Sequence, residues 1–376
     1  MDLDYVTISL PFHATGDVAK SIYWTAWLSK ACAHRVFEHV KANLVLAKLS
    51  EYDFIKFTRE LCYSLLPNRR YVDGVATLVY SSLQSVRKLK VDVSRVELKP
   101  WLLFQSEGEP WAKGNLNIQF TDYETVKVLV FKASGGSERV VVKPVVSKRY
   151  NRLLKELVDR AMRKEIGYPA RVYIRSYSGD LEHLYGELQI NVKHSLYLEI
   201  MKRFDKPLGS NVAGIDVNTD RLNLVVVNKD GEVVWMHTVR FPQILARGFP
   251  RKRAWSIIGE KIHEVLKHAY HHGASAVALE NPGVIGYLRY YWVRNGERGG
   301  RNYNYKVAVF RSSIIERILW KAPLYGLKIV YVDPKGTTSS REHAETMKKH
   351  RLNKHTASAY LIASRALNIL ERPTKT

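Results

Sequence analysis

The sequence predicts a multidomain chain, α/β in its C-terminal part and β with a helical insertion in its N-terminal part. Three observations predict it. At 376 residues the chain is too long for one typical domain. Period-two apolar segments bounded by turn residues recur between 96 and 192. From residue 211 onward the predicted elements run βββ-α-β-α-β-α, the chain order of the ribonuclease H fold, which periodicity alone does not separate from other α/β orders.

Residues 4–10 (DYVTISL) alternate apolar and polar, as a short strand does. Helical spacing takes over from Asp17, where Ile22, Trp24, Trp27, Leu28, Ala31, Val36, Phe37 and Val40 recur every three or four residues. Asp17 after Gly16 reads as an N-cap, and Ser50 with Asp53 reads as a second helix start. Pro67-Asn68 breaks the pattern before helix resumes near Tyr71. Strands are expected at 96–104, 115–120, 126–131, 140–146, 172–177 and 185–192, interrupted by one basic helix over 148–164. Such spacing suggests a small barrel or curled sheet that the opening strand joins. The resulting division is 1–16 with 96–205 as a β domain, 17–95 as an inserted helical lobe and 206–376 as the α/β domain.

In that last domain, 212–217 (VAGIDV), 222–228 (LNLVVVN) and 232–241 read as three strands, the latter two joined by the turn Asn228-Lys-Asp-Gly231. A helix over 252–272 stops at Gly273, and 274–280 (ASAVALE) is a fourth strand. A loop follows, taken as lid-like over 283–305, then a helix over 306–321, a fifth strand at 327–332 and a last helix at 354–370.

Lys and Arg number 59 against 36 Asp and Glu, a formal charge of +23. An excess of this size repels itself unless an anionic partner relieves it, and nucleic acid is the usual one. No signal peptide and no apolar run long enough to span a membrane is evident, so a cytoplasmic, nucleoid-associated protein is expected, with no membrane partner. Cys32 and Cys62 read as buried small hydrophobes, and two cysteines cannot build a four-cysteine zinc site.

Asp216 ends the first strand of the α/β domain and Glu280 ends the fourth. In the expected fold these strands are neighbours, so two carboxylates would share divalent metal as phosphodiester hydrolysis requires. A third ligand belongs on the first turn of the last helix, where the chain reads Asn353-Lys-His355-Thr-Ala-Ser358. His355 stands there as either a third ligand or a helix-start residue with no part in chemistry. As a ligand it lowers the site's negative charge, which favours manganese over magnesium. His268, His271 and His272 complement a helix C-terminus. His343 and His350 lack partners at metal-ligand spacing.

Basic residues cluster in three places. Arg251, Lys252 and Arg253 open the long helix. Arg289, Arg294, Arg298 and Arg301 alternate with Tyr287, Tyr290, Tyr291, Trp292, Tyr303 and Tyr305 in the loop after Glu280. Lys148, Arg149, Arg152 and Lys155 line the basic helix. Guanidinium forks suit phosphates and aromatic rings suit unstacked bases.

GIDVN (214–218), ALENP (278–282), VDPKGTTSS (332–340) and NKHTASAYLIA (353–363) together resemble the transposon-encoded TnpB family, relatives of type V CRISPR effectors. The resemblance implies a C-terminal RuvC domain and an N-terminal wedge-like β-barrel interrupted by a helical recognition lobe. It further implies an RNA-guided, magnesium- or manganese-dependent DNA endonuclease, with a guide RNA and target DNA as partners and Asp216, Glu280 and His355 at its centre. Two features depart from the family. The interval 339–350 holds no cysteine, so its zinc ribbon is absent and no zinc is expected. His355 aligns with its third acid, and Asp333 and Glu342 are the nearby acids that would compensate. Two other readings stand beside the nuclease: a guided DNA-binding protein that does not cut, and an unguided nucleic-acid-binding protein on the same fold.

Overall fold

A computed structural model describes residues 5–88, 92–98, 101–281, 298–337 and 340–371, and of residues 88, 95 and 298–309 it describes the backbone alone. The chain divides into two units, Met1–Ile200 and Met201–Thr376. It is a mixed α/β structure with three sheets.

Strict alternation sets the first strand, β1 (Tyr5–Thr15), with Val6, Ile8, Leu10, Phe12 and Ala14 all buried. It runs past the expected end at residue 10 because the alternation continues through Pro11. Proline is tolerated there because β1 is an edge strand in the order β1-β7-β6-β2. Three helices follow: α1 (Gly16–Ala42), α2 (Glu51–Cys62) and α3 (Arg69–Lys88). The N-cap of α1 is Thr15, and Asp17 lies in the first turn. Ser50 does cap α2, accepting from Asp53 N at 3.1 Å. Cys32 and Cys62 are buried free thiols, as expected.

These helices pack onto strands of the same unit. The hydroxyl of Tyr71 donates to Leu129 O at 2.6 Å, and Phe131 N donates to Thr25 Oγ1 at 2.8 Å. The remaining elements are β2 (Leu103–Ser106), β3 (Ile118–Asp122), β4 (Thr125–Phe131), β5 (Ser137–Val142), α4 (Asn151–Met162), β6 (Ala170–Tyr177), β7 (His183–Lys193) and α5 (His194–Met201). β3, β4 and β5 form their own antiparallel sheet. The expected strand at 96–104 survives only as β2; before it lies a short 3-10 turn, Val93–Arg95. α5 was not foreseen.

The second unit holds β8 (Asn211–Val217), β9 (Arg221–Val227), β10 (Val233–Arg240), α6 (Arg251–His271), β11 (Ala274–Glu280), α7 (Arg298–Lys321), β12 (Lys328–Val332), α8 (Arg341–His350) and α9 (Lys354–Leu370). Its sheet order is β10-β9-β8-β11-β12, antiparallel over the first three strands and parallel from β8 to β12. Helix α7 begins at Arg298, eight residues before its expected start, so part of the segment taken as a loop is helical. Helix α8 fills an interval to which the sequence assigned no element.

α9 carries a nearly continuous buried run, Thr356 to Ala363, against Val212, Val225 and Val227 of the sheet. Small residues let it approach closely. A Cβ on Gly214 would lie 2.0 Å from Ala359 O and 2.6 Å from Ala363 N. Gly214 is therefore the groove into which α9 settles, and it draws the N-terminal turn of α9 toward the end of β8.

Candidate active site

Asp216 sits near the end of β8 and is 5% exposed; Glu280 ends β11 and is 7% exposed. β8 and β11 are parallel partners, with Gly214 opposite Ala278. Continuing that register two residues brings Asp216 level with Glu280.

Each carboxylate is held differently. Asp216 Oδ2 accepts from Asn218 Nδ2 at 2.8 Å and from Asn223 Nδ2 at 3.2 Å. Asn223, its cross-strand partner on β9, is oriented in turn by Thr238 of β10, whose hydroxyl donates to Asn223 Oδ1 at 3.0 Å. One row of side chains across three strands thus fixes one aspartate oxygen. Glu280 Oε1 accepts from the buried Thr337 hydroxyl at 2.7 Å, and Oε2 pairs with Arg311 of α7 at 3.3 Å. Arg311 also donates from Nε to Val217 O at 2.7 Å, so it spans both strand ends.

Burial pushes the Glu280 carboxyl above its usual range; Thr337 and Arg311 oppose the shift, and the neighbouring Asp216 charge adds to it. Two buried carboxylates with mutual repulsion form a hard-oxygen donor set that suits a divalent cation. His355 lies on the first turn of α9, with Nδ1 3.4 Å from Asp216 Oδ2. Its side chain is 36% exposed. Asn353 caps this turn, its Oδ1 accepting from His355 N and Thr356 N at 3.0 Å each.

The acids that sequence offered as substitutes are occupied elsewhere. Asp333 Oδ1 accepts from Lys335 N at 2.9 Å within its own turn, and Glu342 pairs with Arg365 at 3.0 Å. Asp220 instead lies within electrostatic reach of His355, but Arg221 grips it at 2.6 Å and holds its carboxyl below the usual range. Ser358 turns away from the site: its hydroxyl bonds Lys354 O at 3.1 Å and lies 3.3 Å from His343 Nε2. His343 is buried and ties α8 to α9 through Lys354 O at 2.8 Å.

Sequence reasoning did not find Arg311, Thr337, Asn218 or Asn223. Asn218 and Thr337 lie inside the quoted motifs, so their polar character beside an acid was a usable signal. Arg311 had none, because nothing in its own helix distinguishes it from other basic residues.

Of the basic residues, Arg251, Lys252 and Arg253 are exposed on the first turn of α6. Lys148, Arg149, Arg152 and Lys155 are exposed around the start of α4, and the Lys155 ammonium sits 4.6 Å from the centre of the Tyr123 ring. Farther along, Arg160 is gripped by Glu156 and Glu199, and Arg163 by Glu165. Arg289 and Arg294 lie outside the described residues, and so do the side chains of Arg298 and Arg301 in the first turn of α7. No described helix is long and apolar enough to cross a membrane.

Residues 5–202 match the family model described as the SSO2105 N-terminal domain. An uncharacterized protein of Aeropyrum pernix is 40% identical over 367 residues, 97% of each chain. The uncharacterized protein SSO2105 of Saccharolobus solfataricus is 29% identical, over 89% of this chain and 88% of that one. Among solved structures, the cryo-EM structure of a Cas12f1-sgRNA-target DNA complex superposes with a TM-score of 0.53, over 92% of this chain and 82% of that one. At 12% identity, this likeness is one of fold.

Proposed function

This chain belongs to the SSO2105 N-terminal domain family, and on that premise we propose that it is an RNA-guided, divalent-metal-dependent DNA endonuclease of TnpB type. One observation carries the reading: two buried carboxylates on neighbouring strand ends, with His355 3.4 Å from the first of them. In this reading the second unit is a RuvC domain with ribonuclease-H-like topology. The first is a wedge-like barrel with a helical recognition lobe, over the boundaries 1–16, 96–205 and 17–95. Guide RNA and target DNA are the partners, as sgRNA and target DNA are of the Cas12f1 that shares the fold. The protein then works in the cytoplasm, at the nucleoid.

Asp216 and Glu280 hold the metal and His355 completes the set. A bound magnesium or manganese ion supplies Lewis-acid stabilisation and an activated water. The chain's own part is to hold the donors in place. Asn218 and Asn223 fix one Asp216 oxygen, and Thr337 fixes one Glu280 oxygen. Arg311 adds a fixed positive charge beside the carboxylates, suited to a phosphate oxygen. Three cations on the first turn of α6 oppose the helix dipole, a cost of roughly 0.3–1 kcal/mol each that a backbone phosphate would relieve.

Arg311 also favours a second reading, guided binding without cleavage, because its ion pair already neutralises part of the Glu280 charge. Purified ribonucleoprotein incubated with a matched target in magnesium, then in manganese, separates the two. Cleavage is expected, stronger in manganese. Asp216→Asn abolishes it, and His355→Asp raises the magnesium-dependent rate. Tight target binding with no cleavage in either ion establishes the second reading instead.

A further inference from the structure

We propose that His237, Glu264 and His268 form a second metal site, one that takes a first-row transition ion of the zinc class. Among the described residues, this is the trio of ligating side chains whose donor atoms all lie within 4.8 Å of one another. It shares no residue with the carboxylate centre. Along β10 the side chains alternate, so His237 faces away from Thr238 and from the row that holds Asp216.

The construction follows from local geometry. Glu264 and His268 are four residues apart on α6 and therefore share one helix face. β10 runs alongside that face and contributes His237. His237 Nε2 lies 3.1 Å from Glu264 Oε1, and the His237 and His268 ring centres are 4.3 Å apart. Two ligands bound at 2.0–2.1 Å to a tetrahedral ion sit about 3.3 Å apart, so the first pair already has the spacing of a shared ion. Lys261 Nζ binds Glu264 Oε2 at 2.8 Å, which leaves Oε1 aimed at the histidine.

The surroundings support a ligand role for the imidazoles. Trp235 shares the β10 face with His237 and stacks on His272, centres 4.2 Å apart at 13°. The trio itself is half-exposed, so an ion can enter from solvent. Two imidazoles and one carboxylate suit zinc, cobalt or nickel better than magnesium, which prefers oxygen alone. The ion would staple the edge strand β10 to α6.

Tag-free protein stripped of metal tests this by calorimetric titration with zinc and by visible absorption with cobalt. One equivalent of zinc is expected, with a rise in Tm, and cobalt should give the d–d bands of mixed nitrogen and oxygen coordination. His237→Ala and His268→Ala should each weaken zinc binding by at least about tenfold and remove the Tm rise. Asp216→Asn should leave this equivalent unchanged. Absence of a saturable equivalent, or one that survives both histidine variants, overturns the proposal. Because all three residues are partly exposed, the variants should keep the metal-free Tm of the parent, and circular dichroism checks that they do.

Discussion

Glu280 concentrates the electrostatic tension of the carboxylate centre. Its raised pKa means the folded state prefers the proton, so the unfolded chain releases it first as pH rises. Stability from this group is then greatest in acid and falls as pH climbs from the ordinary carboxylate range through the raised value. Glu280→Gln removes that penalty while keeping an acceptor for Thr337. In metal-free protein the variant should therefore melt higher than the parent near neutral pH, and the difference should shrink as pH falls. Thermal melts across the acid range in chelator check the direction. A variant that melts below the parent near neutral pH, with the deficit vanishing in acid, would mean that the lost Arg311 pair outweighs the burial. The same residue shows how far sequence could go. Its place at a strand end beside Asp216 was readable from motif order alone. The arginine that pairs with it comes from 31 positions farther on, in a helix whose facing no local pattern fixes.

At the scale of elements, Gly214 decides how α9 meets the sheet. A methyl group there would strike the backbone of Ala359 and Ala363. Gly214→Ala should destabilise the protein by about 1–3 kcal/mol, the usual range for overpacking a filled core, as read from denaturant melts. Under the proposed nuclease reading it should also weaken metal binding at Asp216, since α9 carries His355. Elements with strong periodicity were legible: β8, β9, β11, α6 and α9 all lie within a few residues of their expected spans. α8 was missed because REHAETMKKH buries only His343 and Thr346, too few apolar positions to give a helical period. The first eight residues of α7 read as loop because Gly299 and Gly300 weaken helix propensity there. The metal trio was missed: the sequence reading gave His268 to the helix C-terminus, and although Glu264 and His268 have ligand spacing, His237 reaches them only through strand pairing.

At the scale of the whole molecule, the formal charge of +23 sets the main expectation for binding. Each phosphate contact releases counterions, so affinity should fall steeply with salt. Replacing Arg251, Lys252 and Arg253 together by Ala should lower the slope of log K against log salt by about 2–3, nearly alike for any sequence. Fluorescence anisotropy over a salt series measures it. An unchanged slope would take the first turn of α6 out of the phosphate path. The Arg160 and Arg163 ion pairs bear on the same question, since four cations around the start of α4 are exposed while those two already have acids.

Asn353 caps the helix that carries position 355. It, and not the side chain at 355, fixes the first turn of α9. A half-exposed residue whose backbone is secured by its neighbour can be exchanged with little effect on folding. Under the proposed nuclease reading, the ability to cut and the ability to fold would be separately heritable. Drift or selection can retune the chemistry of position 355, acid or imidazole, while the rest of the protein is passed on intact.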